Sequence, residues 1–238
     1  MIRTVHRWGY GVVTIDRPER RNAVDLATLL ELRGAIDDAR ERQVRVLVLN
    51  GAGGTFCAGA DLTGVESEGF ADALRGVLTG LTDLPAVTIA SVEGAALGAG
   101  TQLAAACDLR VATPDARFGI PAARLGLMVD RWTVQRLVAL FGAGPARAIL
   151  LAAATYTGED AARLGFVQRL GTLDDAVTWA GTIADLAPLS IAGHKLVLEH
   201  PDDEAAIADA LARAWHSADA MEGPTAFLEK RKPWFTGN

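Results

Sequence analysis

The segment Val92-Glu93-Gly94-Ala95-Ala96-Leu97-Gly98-Ala99-Gly100-Thr101-Gln102-Leu103 reads as a strand, a tight glycine turn and the start of a helix. Such a turn presents backbone N–H groups at a helix N-terminus, where they and the helix dipole can hold a developing oxyanion. A second loop, Gly51-Ala52-Gly53-Gly54-Thr55-Phe56-Cys57-Ala58-Gly59-Ala60-Asp61-Leu62, follows an apolar run; it is glycine-rich but has neither the GK[ST] ending nor the GxGxxG spacing of nucleotide loops. A third, Arg17-Pro18-Glu19-Arg20-Arg21-Asn22-Ala23, sets three arginines between a strand and a helix, facing either an anion or solvent. Asp130 stands directly before Arg131-Trp132-Thr133, where a carboxylate can cap a helix, move a proton, or do both. His6, His194, His200 and His216 are scattered, and no Ser/His/Asp or metal-binding constellation assembles from them.

These loops need elements to hold them. Tyr10 to Ile15 is a β-branched run stopped by Asp16-Arg17-Pro18, so it reads as a strand. Leu26, Leu29, Leu30 and Ile36 then recur at helical spacing from about Asp25. Val44 to Leu49 is short, continuous and valine-rich, the pattern of a strand buried on both faces. The order repeats with a helix over 70–81, a strand over 86–92, the turn, a helix from Gly100 and a strand over 109–112, which implies α/β architecture with mainly parallel pairing. Beyond Arg131 the pattern is mostly helical: 131–141, 144–153, 160–164, 173–186, 191–198 and 204–217. Pro188 is placed as the boundary between an α/β core, 1–188, and a helical appendage, 189–238.

The chain has 238 residues, half of them hydrophobic and 22% charged, enough for one sizeable core. Its formal net charge of -6 argues against a general nucleic-acid or acidic-membrane binder, so an anionic ligand needs a local basic patch. Cys57 and Cys107 form no CxxC pair and read as reduced, buried thiols. The first residues carry no secretory pattern, and a cytoplasmic protein is expected. The apolar stretch over 86–107 is interrupted by Glu93, Gln102 and glycines 94, 98 and 100, as a buried strand, turn and helix would be; no membrane span is expected.

In order along the chain, RPERRNA, GAGGTFCAGADL, EGAALGAGTQLAAACDLRVA, FGIPAARLGL and AFLEKRKP together resemble the crotonase family, the enoyl-CoA hydratases and isomerases. The resemblance covers essentially the whole chain. It implies a spiral of β-β-α units, a C-terminal helical part that packs in trimers often paired as hexamers, and an acyl-CoA ligand whose coenzyme A is the only cofactor moiety. By position it assigns the oxyanion hole to the amides of Ala60 and Ala99; an alanine serves there provided its φ stays negative. Coenzyme A contacts fall on Asn22, Ala23, Ala58, Asp61 and Leu62. Phe227 and Lys230 match an ending that reaches the ligand of a neighbouring subunit, and Arg21, Lys230, Arg231 and Lys232 would supply the basic patch. The other reading of that tail is a solvated charged helix end.

Hydration of an enoyl thioester needs a base for water at the β-carbon and an acid for the α-carbon, and the family's hydratases use two glutamates. Those positions hold Gln102 and Ala122, neither of which titrates. Each positioned acid or base contributes roughly 100- to 10,000-fold, so hydration should fall by several orders of magnitude. Asp130 matches the position of a catalytic aspartate in dienoyl-CoA isomerases of the family, while Arg131 and Trp132 replace small residues, with the Trp132 indole either lining the acyl pocket or filling core. Glu66 and Glu68 are expected to face solvent. Three functions follow: a fatty acyl-CoA-binding or delivery protein that has lost the chemistry, favoured by Gln102 and Ala122; an isomerase or hydratase using Asp130; and, more weakly, a purely structural subunit.

Overall fold

The computed structural model describes residues 1–61 and 68–238; Leu62, expected among the ligand contacts, and Glu66 lie outside these residues. The chain opens with an antiparallel hairpin, β1 (Ile2–Arg7) and β2 (Tyr10–Ile15). Helix α1 (Leu26–Glu41) begins on Asp25, whose side chain accepts from Thr28 N at 2.8 Å and fills an otherwise open amide. Then come β3 (Val46–Gly51), α2 (Phe70–Thr82), β4 (Val87–Val92), β5 (Ala95–Leu97), α3 (Ala99–Ala106), β6 (Leu109–Ala112) and β7 (Arg117–Gly119). The second half holds α4 (Arg131–Phe141), α5 (Ala143–Ala152), β8 (Thr155–Thr157), α6 (Gly158–Arg163), β9 (Arg169–Leu170), α7 (Leu173–Ala184), α8 (Pro188–Glu199), α9 (Glu204–Trp215) and α10 (Ala218–Glu229).

A sheet ordered β1-β2-β3-β4-β6-β9 is parallel from β2 onward, and a smaller sheet is ordered β5-β7-β8. This is the expected α/β class, with helices clustered toward the C-terminus. Strand β3 shows why its sequence is a continuous apolar run. Val46 and Val48 pack with Ala176, Ala180 and Ile183 of α7, while Leu47 and Leu49 face the opposite core with Leu29, Leu32 and Leu81. Burial on both faces removes the polar alternation of a half-exposed strand.

Five short or edge strands, β1, β5, β7, β8 and β9, differ from the sequence expectation. β1 is polar and largely exposed, so it carries no apolar alternation, and it exists through its full register with β2. β5, β7 and β8 have three residues each and are defined by pairing with one another, β8 lying between two of the expected helices, and the two-residue β9 is defined by pairing with β6. Pro188, read as a boundary, is the first residue of α8, where its missing N–H costs nothing. Helix α8 is joined to the preceding fold by Lys195, whose buried Nζ donates to Leu81 O, Ala86 O and Asp108 Oδ2 at 2.9, 3.0 and 2.8 Å. Among the described residues no helix is long and apolar enough to cross a membrane.

Candidate functional site

The glycine turn joins β5 to α3. Gly98 takes φ 54 and ψ −117, a conformation that a side chain would strain, and it starts α3 with no side-chain cap. The first amides of α3 are therefore not filled from within the turn. Gly100 is required by contact: a Cβ there would lie 2.1 Å from Cys57 O. Cys57 N donates to Ala95 O and Leu97 N to Cys57 O, at 2.9 and 3.0 Å, which lays the 57–60 loop against β5. Thr101 Oγ1 lies 2.6 Å from Ala96 O and 2.9 Å from Gly119 O, with one proton to share between them, and accepts from Gly119 N at 3.0 Å.

Ala60 and Ala99 both line one cavity. Ala99 keeps a negative φ. Asp61 N donates to Val24 O and Val24 N to Gly59 O, so the intervening Ala60 N–H is on the other side of its extended segment. At the first position of α3 the Ala99 N–H has no intrahelical acceptor. Among the described residues no backbone acceptor receives either amide.

The cavity measures about 380 Å³ and is mostly apolar. Gln102 and Ala122 are in its wall, as are Ala58 and Asp130. Helix α2 supplies Phe70, Leu74 and Leu78 at four-residue spacing, and the turn before α4 supplies Leu125, Leu127 and Met128. Among the described lining residues the charged ones are Arg75 and Asp130, paired with each other at 3.4 Å.

Asp130 is tied down on both oxygens. Its Oδ1 accepts from Thr133 N at 3.0 Å and Thr133 Oγ1 at 2.6 Å as the N-cap of α4, and its Oδ2 faces Arg75. Gln102 Nε2 donates to the same Thr133 Oγ1 at 2.7 Å. The polar order is forced. An ionised carboxylate only accepts, so the threonine hydroxyl donates to it and must accept from the amide's NH2 end. Gln102 is thus a buried, neutral, oriented group one helical turn from the Ala99 amide.

Trp132, expected either to line the pocket or to fill core, is not in the cavity wall. Two residues past Asp130 it is rotated by about 200° around α4, and it packs half-buried against the core with the Arg136 guanidinium 5.9 Å from its ring centroid. Arg131 is exposed, as is Glu68.

The arginine loop is welded to the 51–61 loop. Asn22, fully buried at φ 55, accepts from Arg17 N at 2.9 Å and donates to Ala52 O at 2.8 Å and to Thr55 O. Ala58 N donates to Arg21 O at 3.0 Å, and Arg17 pairs with Asp25 and Asp61 at 2.9 and 3.5 Å. Asn22 therefore acts as an internal latch, and Arg21, Ala23, Ala58 and Asp61 come together on adjoining segments. Phe227 is 83% exposed and Lys230 is exposed beyond the end of α10, both outside the cavity wall. Of the four cations expected to form a basic patch, Arg231 is engaged by Glu222 and Glu229, and Lys232 by Asp185. Cys57 and Cys107 are buried, and burial pushes both thiols up to about 12.

Thr133 and Arg75 were not legible as site residues. Thr133 is locally only a member of the Asp130 cap; its bond to Gln102 and the pairing of Arg75 with Asp130 join residues distant in sequence, and only the apolar stripe of α2 left a periodic signal.

The family model described as enoyl-CoA hydratase/isomerase matches residues 7–238. The chain is 42% identical to the probable enoyl-CoA hydratase echA6 of Mycobacterium tuberculosis, over 94% of this chain and 95% of that protein. It is 34% identical to the human mitochondrial enoyl-CoA hydratase domain-containing protein 2, over 96% and 86%. Among solved structures, an enoyl-CoA hydratase from M. tuberculosis H37Rv superposes with a TM-score of 0.89 at 32% identity, covering 100% of this chain and 99% of that one. A putative enoyl-CoA hydratase/isomerase family protein from Hyphomonas neptunium gives 0.92 at 28% identity, covering 100% and 98%.

Proposed function

This chain belongs to the enoyl-CoA hydratase/isomerase family, and from that premise we propose that it binds fatty acyl-CoA thioesters and holds or delivers them with little or no hydration. The observation that carries this is the chemistry of the cavity wall. Two backbone amides are open to a thioester oxygen, whereas the positions matched to the family's glutamates hold an oriented neutral amide, Gln102, and a methyl group, Ala122.

The amides of Ala60 and Ala99 would donate to the thioester oxygen, with the acyl chain along Phe70, Leu74 and Leu78. This polarises the carbonyl toward an enolate. Hydration also needs a proton taken from water and one delivered to carbon, and Gln102 and Ala122 can do neither. Coenzyme A would lie along Arg21, Ala23, Ala58 and Asp61. Phe227 and Lys230 would serve a neighbouring subunit in a homotrimer or a hexamer of two trimers, assembled through 189–238 on the 1–188 core, in the cytoplasm.

A second reading, an isomerase using Asp130, is favoured by one fact: Asp130 is the carboxylate in the cavity wall among the described residues. Its commitments to Thr133 and Arg75 weigh against it.

Calorimetric titration with long-chain acyl-CoA, beside a crotonyl-CoA hydration assay on the same preparation, tests the proposal. Micromolar binding without turnover is expected. Absence of binding would refute it, and an isomerisation activity lost in Asp130→Asn with binding intact would establish the second reading instead.

A further inference from the structure

Helix α3 carries both the Ala99 amide and Gln102, and its opposite end is closed by two guanidinium groups. Arg110 is wholly buried; its Nη1 donates to Ala104 O at 3.0 Å and Cys107 O at 2.8 Å, and its Nη2 to Asp108 O at 3.2 Å. Its Nε donates to Phe166 O, and its guanidinium carbon lies 4.6 Å from the Phe166 ring centroid. Burial brings its pKa down to about 10, which still leaves it charged at neutral pH. Arg136, on α4, donates from Nε to Ala105 O at 2.8 Å. Its Nη1 is held by both carboxylate oxygens of Glu199, each at 2.8 Å.

A helix leaves its last carbonyls unpaired, and cations there act with the helix dipole. Here the carbonyls of Ala104, Ala105 and Cys107 each receive an arginine N–H. An eight-residue helix is about 12 Å long, so these charges lie within that reach of the Ala99 amide. The Arg136 and Glu199 side chains are 16% and 12% exposed, so screening by salt is weak. The grip is also geometric. Gln102 meets Thr133 and Ala105 meets Arg136, one turn apart on both helices, so α4 holds α3 at two levels.

We propose that Arg136, steadied by Glu199, is a positioning residue for the oxyanion site: with Arg110 it fixes the far end of α3 and sets how strongly the Ala99 amide polarises a bound thioester. This rests on the assignment of the thioester oxygen to the Ala60 and Ala99 amides. Arg136 supplies positive charge at the carbonyl end of α3, and Glu199 offsets part of it. The two side chains therefore act on the site with opposite signs, although both hold the same contact together.

Infrared difference spectra of butyryl-CoA isotopically labelled at its carbonyl carbon, bound to wild type, Arg136→Gln, Arg136→Lys and Glu199→Gln, read this directly. In wild type the carbonyl stretch should fall below its value in water. Arg136→Gln should move it back toward water and weaken binding by about twofold, the size of a unit charge acting on a partial oxyanion charge across about 12 Å at an effective dielectric of about 20. Arg136→Lys, which keeps the charge, should stay near wild type, and Glu199→Gln should move the stretch further from water. A merely structural contact would lower thermal stability in both Arg136→Gln and Glu199→Gln and move the stretch the same way or not at all; that result overturns the proposal. An unshifted stretch in bound wild type would instead overturn the oxyanion assignment on which it rests.

Discussion

Thr133 does two jobs with one hydroxyl, donating to Asp130 and accepting from Gln102, and this makes it the sharpest single-residue test of the site. Thr133→Val keeps the shape but leaves the buried Gln102 amide without its acceptor. Chemical denaturation should show a loss of about 1–3 kcal/mol, with Thr133→Ser staying close to wild type. Gly100→Ala tests the close approach of α3 to the 57–60 loop. Its Cβ would sit 2.1 Å from Cys57 O, a backbone atom that cannot turn away, so a loss of about 3 kcal/mol or more is expected together with loss of acyl-CoA affinity. Asp130 was legible in part. Its position before Arg131-Trp132-Thr133 signalled a helix cap, but nothing local could reveal that the capped Thr133 also orients Gln102, 31 residues from it in sequence.

At the scale of elements, a contact that titrates holds the C-terminal tail against α10, and the tail in turn reaches the N-terminal hairpin through Trp234 on Trp8. Arg231 donates to both oxygens of Glu222, with Trp234 N adding a third bond, and these hold the Glu222 carboxyl down to about 2 from its ordinary 4.5. A depressed carboxyl stabilises the folded arrangement above its ordinary value, and that stabilisation disappears as pH falls toward the depressed one. The Trp8–Trp234 contact, with ring centroids 5.5 Å apart, should therefore loosen between about pH 4.5 and 2. Tryptophan fluorescence should report a transition in that window which Glu222→Gln lacks. The same scale shows what the sequence made legible. β3 and α1 announced themselves because burial and periodicity are local properties of six to sixteen residues. β5, β7 and β8 did not, because three residues carry no period and exist only through partners elsewhere in the fold. Trp132 was legible as a residue out of pattern but not in direction, since that depends on the rotation of α4 about its cap.

Across the whole molecule, apolar surface concentrates on the C-terminal helices: Trp215 and Met221 are each 74% exposed, and α8, α9 and α10 enclose a largely apolar depression of about 460 Å³. A stable monomer rarely leaves large residues so open in one region. Under the proposed assembly, Trp215→Glu should convert the oligomer to monomers by light scattering while the far-ultraviolet circular dichroism stays unchanged. Under the proposed function, binding and chemistry separate: the Ala60 and Ala99 amides would polarise a thioester, and Gln102 and Ala122 would supply neither the acid nor the base that hydration needs. Turnover of crotonyl-CoA by wild type beside Gln102→Glu/Ala122→Glu tests this most directly. Wild type should stay near background and the double variant should rise at least about 100-fold. Wild-type hydration at about 1 per second or faster, the range of working enzymes, would contradict it.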